Sequence, residues 1–277
     1  MQGIPGLSFF SMTPTFIYGT AWKEEATERL TRLALDAGFR AIDTANQRRH
    51  YFEAGVGAAV AGAIRDGVVR RDELFLQTKF TSASGQDHRL PYDPKADPAT
   101  QVRQSFASSL GHLQVDAIDS YVLHGPSRSR GLSEEDVAVW RAMESLPIPL
   151  LGVSNVSLEQ LEELCGIAAV RPKFVQNRCF ASTGWDAAVR DFCARHDIVY
   201  QGFSLLTANV AALRRRAFAE VVARVGRTPA QVVFRFARQI GIVPLTGTTD
   251  PAHMAEDLAI DDFALSDDDV ARIERLA

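Results

Sequence analysis

The chain has 277 residues, 46% of them apolar and 23% charged, with a net charge of −4. These values belong to a soluble globular protein long enough to bury a core without staples, and they exclude a disordered chain. Slight acidity argues against a nucleic-acid partner; the longest basic run, residues 214–216, reads as a solvated helix start.

In chain order, residues 1–22 carry no charged side chain. Pro5, Pro14, Gly3, Gly6 and Gly19 interrupt them, without a basic leader or a long apolar run, so they read as neither a signal peptide nor a membrane anchor. They are expected to be a buried lead-in to the first strand, at 15–19. A helical pattern over 24–36 puts Ala26, Leu30, Leu33 and Ala34 on one face. The second apolar run, 40–44, carries Asp43, and Tyr51 follows in the next loop. The third, 74–80, carries Lys79 and precedes a long loop, 81–96, of a length more often functional than idle. A helix over Pro98–Leu113 begins at Asp97 and aligns Val102, Phe106, Leu110 and Leu113. The fourth run, 117–124, ends at His124. Runs at 149–154, 173–176, 198–203 and 241–245 complete eight. Ser157 with Gln160, and Thr228 with Gln231 behind Pro229, read as capping boxes. Asp250-Pro251 reads as a further helix start, and Ser266 followed by acids opens a last helix over 267–276.

Each run is short and apolar on both faces, as parallel strands covered on both sides should be. Eight strand–helix units in about 250 residues predict a (β/α)8 barrel. The rival is a doubly wound open sheet. Its G-x-G-x-x-G signature is missing, since Gly55-Val56-Gly57 lacks the third glycine and reads as helix. No break in composition divides the chain, so residues 1–277 are expected to form one domain. Cys165, Cys179 and Cys193 make no metal-ligand pattern, and their odd count and wide spacing fit reduced thiols in a cytoplasmic protein.

A barrel takes its catalytic side chains from the carboxyl ends of its strands. Asp43, Lys79 and His124 stand there and Tyr51 lies in an adjoining loop; neighbouring strands are roughly 5 Å apart, so the four can meet at one mouth. Singly, each has an ordinary structural explanation. Together they suit one chemistry. Lys79 paired with Asp43 stays protonated beside Tyr51 and is expected to lower its pKa. Tyr51 then gives a proton to a carbonyl oxygen, which His124 holds by a hydrogen bond. No nucleophilic Ser or Cys motif and no metal cluster is evident. A proton donor without a nucleophile fits carbonyl reduction by hydride from a cofactor.

From about Gly19 to the C-terminus the sequence resembles the aldo-keto reductases. The motifs are Gly-Thr-Ala-Trp (19–22), Ile-Asp-Thr-Ala (42–45), Thr-Lys (78–79), Ser-Leu-x-x-Leu-x-x-Asp-x-x-Asp-x-Tyr-x-x-His (109–124), Leu-Gly-Val-Ser-Asn (151–155), Thr-Pro-Ala-Gln-Val (228–232) and Val-Pro-Leu-Thr-Gly-Thr-Thr (243–249). The resemblance implies a (β/α)8 barrel that reduces aldehydes and ketones, with Asp43, Tyr51, Lys79 and His124 as its tetrad. The family's Tyr usually follows the Asp by five residues, where this chain has Arg48. Counting back from Glu53 and Gly57 puts His50 in register and Tyr51 one residue away, so residues 46–50 are expected to carry an insertion.

The resemblance further implies that Ser154, Asn155 and Gln176 bond the nicotinamide amide and that Phe203, where a Tyr is usual, stacks on its ring; the residue-level alternatives are strand-end caps and core. Gly19 and Thr20 belong to the same cofactor set. Ser204 and Leu206 would follow the pyrophosphate. Gly247, Thr248 and Thr249, with the amides of the next helix, would take the phosphate end, and Glu256 and Asp257 the adenine. Gly247 and His253 replace a Lys and an Arg that often grip the 2′-phosphate. NADP(H) is the expected cofactor, with NAD(H) the alternative. Trp22, Tyr92, Phe180 and Trp185 are expected to wall an aromatic substrate pocket. The chain ends at Ala277 directly after the last helix and its fourth loop, 125–132, is short, so the pocket is expected to be open. The reading is a monomeric enzyme acting on a small carbonyl compound. Two others compete: a Schiff-base aldolase using Lys79, and an NADP(H)-binding regulatory or redox-sensing protein, since the family includes channel-associated subunits.

Overall fold

The computed structural model describes residues 13–276; the first twelve residues of the uncharged lead-in lie outside the described residues. β1 (Ile17–Gly19), β2 (Ala41–Asp43), β3 (Phe75–Phe80), β4 (Ser120–Leu123), β5 (Leu150–Ser154), β6 (Phe174–Arg178), β7 (Val199–Phe203) and β8 (Ile242–Thr246) close into one parallel barrel. Neighbours in sequence are neighbours in space, and β8 returns to β1 with Tyr18 opposite Thr246. This is the predicted (β/α)8 barrel, and the open-sheet alternative is excluded. The strands match the apolar runs to within a few residues. The informative difference is β6, which runs two residues beyond the predicted end because Asn177 and Arg178 still pair with Gly202 and Phe203 of β7.

The helices are α1 (Thr27–Ala37), α2 (Glu53–Arg65), α3 (Pro98–Leu113), α4 (Glu134–Glu144), α5 (Leu158–Ile167), α6 (Ala187–Arg195), α7 (Val210–Leu213), α8 (Arg216–Val225), α9 (Pro229–Gln239), α10 (Pro251–Leu258) and α11 (Asp267–Glu274). Their starts follow the capping chemistry. Ser157 and Gln160 form a reciprocal box at α5, as do Thr228 and Gln231 at α9. Asp97, Asp250 and Ser266 accept from first-turn amides of α3, α10 and α11. Between α2 and α3 the backbones approach so closely that a Cβ on Gly57 would collide with the His112 carbonyl.

Inside the barrel, side chains alternate with a period of two and stack in layers. The layer at the amino ends is apolar: Ile17, Ala41, Phe75, Phe174 and Leu245 pack together. Two residues along, the interior turns polar with Asp43, Gln77, Gln176 and Gln201, all nearly inaccessible to solvent. The large apolar core lies outside, between strands and helices. No helix among the described residues is long and apolar enough to cross a membrane, and all three cysteines are free.

Candidate active site

Two strand ends and two of the segments that follow them bring the four expected catalytic side chains together. Asp43 ends β2 opposite Gln77, and Lys79 stands two residues further along β3 on the same face. Lys79 Nζ donates to both Asp43 carboxylate oxygens at 2.6 Å and to the Thr44 carbonyl at 2.8 Å. Those bonds occupy all three ammonium protons. Lys79 therefore reaches Tyr51 through its field, with Nζ 5.3 Å from the ring centroid. His124 meets that ring edge-on, the centroids 5.9 Å apart. Tyr51, His124 and Asp43 line a cavity of about 1020 Å³ at the carboxyl ends of the strands, and Lys79 does not. A buried lysine with no face on the cavity and every proton engaged is badly placed as a Schiff-base nucleophile.

Tyr51, and not Arg48, reaches this cluster because the loop before it is folded back and fastened. Asn46 Nδ2 donates to the Ser105 carbonyl at 3.0 Å, and Gln47 Nε2 to the Gly85 carbonyl at 2.6 Å. Gln86 Nε2 donates to the Asn46 carbonyl at 2.8 Å. Arg48 turns outward to Glu24 and Glu25 and over the Phe52 ring. The long loop after β3 thus serves to hold the loop after β2. His50 also faces the cavity, but stacks on Trp22 with ring centroids 3.9 Å apart.

The electrostatics differ from expectation at Tyr51. Burial, reinforced by Asp43, raises its pKa instead of Lys79 lowering it; the carboxylate against Lys79 cancels most of the ammonium's field. Burial likewise pulls Lys79 below its ordinary value, against the opposing influence of Asp43. His124 is pushed down to about 3, by burial and then by Lys79. Thr81 Oγ1 lies 2.6 Å from His124 Nδ1; with the hydroxyl donating, the ring proton stays on Nε2. A neutral phenol and a neutral imidazole N–H thus stand together beside a buried ammonium, the arrangement of two donors for one oxygen on which negative charge develops.

Level with Asp43 lies a set of linked glutamines that sequence reasoning missed. Asp43 Oδ1 accepts from Gln77 Nε2 at 2.8 Å and from Gln176 Nε2 at 3.0 Å. Both amides also donate to Gln201 Oε1, and Gln201 Nε2 returns a bond to Gln77 Oε1. Gln77 was legible: it stands two residues before Lys79 in a strand, hence on the same face.

Of the residues expected to hold a cofactor, Gly19, Ser154, Asn155, Gln176, Phe203, Ser204, Leu206, Gly247, Thr248, Thr249, His253, Glu256 and Asp257 line the cavity. Thr20 does not; it is buried, with its hydroxyl bonded to the Asp43 carbonyl. Ser154 and Asn155 are not helix caps, a role Ser157 fills. Ser154 donates to the Gln176 carbonyl and Asn155 Nδ2 to the His124 carbonyl. Trp22, Asn155 and Ser204 hold left-handed backbone, φ 62°, 52° and 57°, a conformation that costs energy and gathers at functional sites. At the far end the first helix positions offer little: Pro251 has no N–H, and Ala252 N donates to the Asp250 carboxylate. The cation there is Lys23, absent from the sequence reading, whose Nζ donates to the Gly247 carbonyl at 2.7 Å. Burial pulls its pKa down to about 8.

The expected substrate wall is corrected in part. Trp22 lines the cavity, 70% exposed. Tyr92 is core, stacked on Phe80 with its hydroxyl donating to the Thr81 carbonyl at 2.8 Å. Trp185 is fully buried against Phe236, its indole N–H donating to the Ile273 carbonyl. Phe180 is half-buried outside the cavity, before the turn Ala181–Thr183. Tyr92 and Trp185 meet the demands of core packing, which loop position alone does not reveal. Arg178 enters the lining instead.

Comparison with known proteins follows the same lines. The model of the Aldo/keto reductase family matches residues 13–277. The chain is 28% identical to dihydrodiol dehydrogenase 3 of Bos taurus over 99% of this chain and 88% of the relative. It is 28% identical to methylglyoxal reductase DkgA of Escherichia coli over 92% and 86%. An aldo-keto reductase of the silkworm Bombyx mori, solved with NADPH, superposes with a TM-score of 0.81 at 26% identity over 95% of this chain and 84% of that one.

Proposed function

Since the chain belongs to the aldo/keto reductase family, an NAD(P)H-dependent oxidoreductase family, we propose that it reduces an aldehyde or ketone to the alcohol with NADP(H) and Tyr51 as general acid. The observation that carries this reading is the placement of Tyr51 in the cavity wall against the His124 ring and within the field of buried Lys79.

The residues present suit the cofactor. Asn155 Oδ1 and Gln176 Oε1 carry no bond among the described residues, while their amide nitrogens are engaged below. Two free acceptors match the two N–H groups of a carboxamide. Phe203 offers an apolar face for the nicotinamide ring. Lys23 would hold a phosphate by charge at the Gly247 end, assisted by Thr248, Thr249 and His253. NADPH, when bound, supplies the hydride. The chain's own part is to bind and polarise the carbonyl. His124 Nε2–H and Tyr51 O–H donate to the carbonyl oxygen, and the Tyr51 proton moves to that oxygen as negative charge gathers on it. The phenolate left behind is supported by Lys79. Asp43, held by the glutamine layer, keeps Lys79 in place. All four side chains come from one chain, and a monomer suffices for this reaction.

The test is turnover, followed by nicotinamide absorbance, with NADPH and NADH against aliphatic, aromatic and sugar carbonyls. The reading requires NADPH oxidation with at least one class. Tight NADPH binding without turnover across the panel contradicts it and favours the regulatory alternative.

A further inference from the structure

Arg178 is the only arginine lining the cavity among the described residues. It ends β6, opposite Phe203 at the end of β7, and its guanidinium lies 5.6 Å from the Phe203 ring centroid. It is exposed, and its side chain makes no ion pair or hydrogen bond with any described residue. Of the other charges of the cavity, Asp43 is committed to Lys79, Lys23 to the Gly247 carbonyl and Asp257 to Thr246, while Glu256, after β8, is an acid and no rival for an anion. A guanidinium laid on a ring and left with its five donors free is preorganised for a planar anion.

Strand order indicates which anion. In the reading above, the cofactor's diphosphate passes from Ser204 and Leu206, after β7, to Gly247 and Thr248, after β8. Arg178 stands on the opposite side of Phe203, on β6, next to the β5 end that carries Asn155. His124 follows β4, two strands away, or roughly 10 Å at ordinary strand spacing. The free cation therefore faces the substrate's side of the nicotinamide position and not the diphosphate's.

We propose that Arg178 is a specificity-determining residue, and that the preferred substrates are carbonyl compounds bearing a carboxylate or similar anion a short carbon chain away from the carbonyl. The inference rests on the carbonyl-reductase reading and adds the substrate class to it. His124 and Tyr51 take the carbonyl oxygen while Arg178 takes the anion. Fixing both ends of the substrate orients its carbonyl carbon.

Matched substrates test this: benzaldehyde against 4-carboxybenzaldehyde, and butanal against 4-oxobutanoate, each with NADPH. The wild type favours the charged member in kcat/KM, and the preference shrinks as salt is raised. In Arg178→Met the charged-to-uncharged ratio falls about 10-fold, the lower end for a lost bond to a charged group, with KM carrying the change. Arg178→Lys recovers part of it. NADPH affinity, measured by fluorescence titration, separates the two anions. If Arg178→Met weakens NADPH binding and leaves the substrate ratio alone, the diphosphate is the true ligand and the inference fails. Turnover of both members without discrimination overturns this inference only. Absence of turnover with all four carbonyls overturns this inference, and absence across the wider panel, sugars included, overturns the reductase reading as well.

Discussion

Tyr51 was readable from sequence only to within one position, because an insertion changes spacing without saying where the loop bulges. The fastening of Asn46 to α3 and of Gln47 to the loop after β3 brings the Tyr51 ring beside Lys79 and His124. Lys23 was legible in principle, since it follows Trp22 at a strand end, but its partner Gly247 is 224 residues away. It also yields a prediction with a definite sign. Burial holds its pKa down to about 8 in the free protein, and a bound phosphate favours the charged form. NADPH affinity should therefore fall as pH rises through about 8, since the neutral amine must first take up a proton. Lys23→Met should bind NADPH more weakly at pH 7 and lose that pH limb in a fluorescence titration. An unchanged limb in the variant would show that another group titrates.

Among the elements, strands were legible as apolar runs and helices as capped amphipathic stretches, because burial on both faces and cap chemistry leave direct marks in sequence. The end of β6 was not, since Asn177 and Arg178 pair through their backbones whatever their polarity. Tyr92 and Trp185 misled for a related reason: an aromatic residue near the barrel mouth can face the cavity or roof the core. Their hydrogen bonds to Thr81 and Ile273 carbonyls fix them in the core, and neither bond is visible in local sequence. The α2–α3 crossing gives a test. Gly57→Ala places a methyl against the His112 backbone, which cannot yield as a side chain can. The cost should be about 1–3 kcal/mol or more, read as a lower denaturant midpoint. A midpoint equal to the wild type would mean that the helices separate freely.

At the scale of the whole molecule, closure of the barrel joins positions far apart in sequence, from Asp43 to Gln176, 133 residues on. One interlocking contact couples the fold to pH. Buried Glu53 accepts from Thr78 and lies 3.0 Å from His112 Nδ1, linking α2, β3 and α3. That bond raises the His112 pKa above its ordinary 6.5. A raised histidine pKa contributes stability fully below about 6.5, and the contribution fades as pH rises through the folded value. The difference in melting temperature between wild type and His112→Gln should therefore shrink as pH is taken from about 6 upward. A difference constant with pH would remove the linkage.

The central claim is that one neutral phenol, placed beside Lys79 and His124, delivers the proton in carbonyl reduction. Tyr51→Phe tests it most directly, with turnover and NADPH affinity measured on the same preparation and His50→Ala as the comparison. The account predicts that Tyr51→Phe loses turnover by about 100-fold or more, the scale of general acid catalysis, while binding NADPH as the wild type does and while His50→Ala still turns over. Retained turnover in Tyr51→Phe, with loss in His50→Ala, would contradict it.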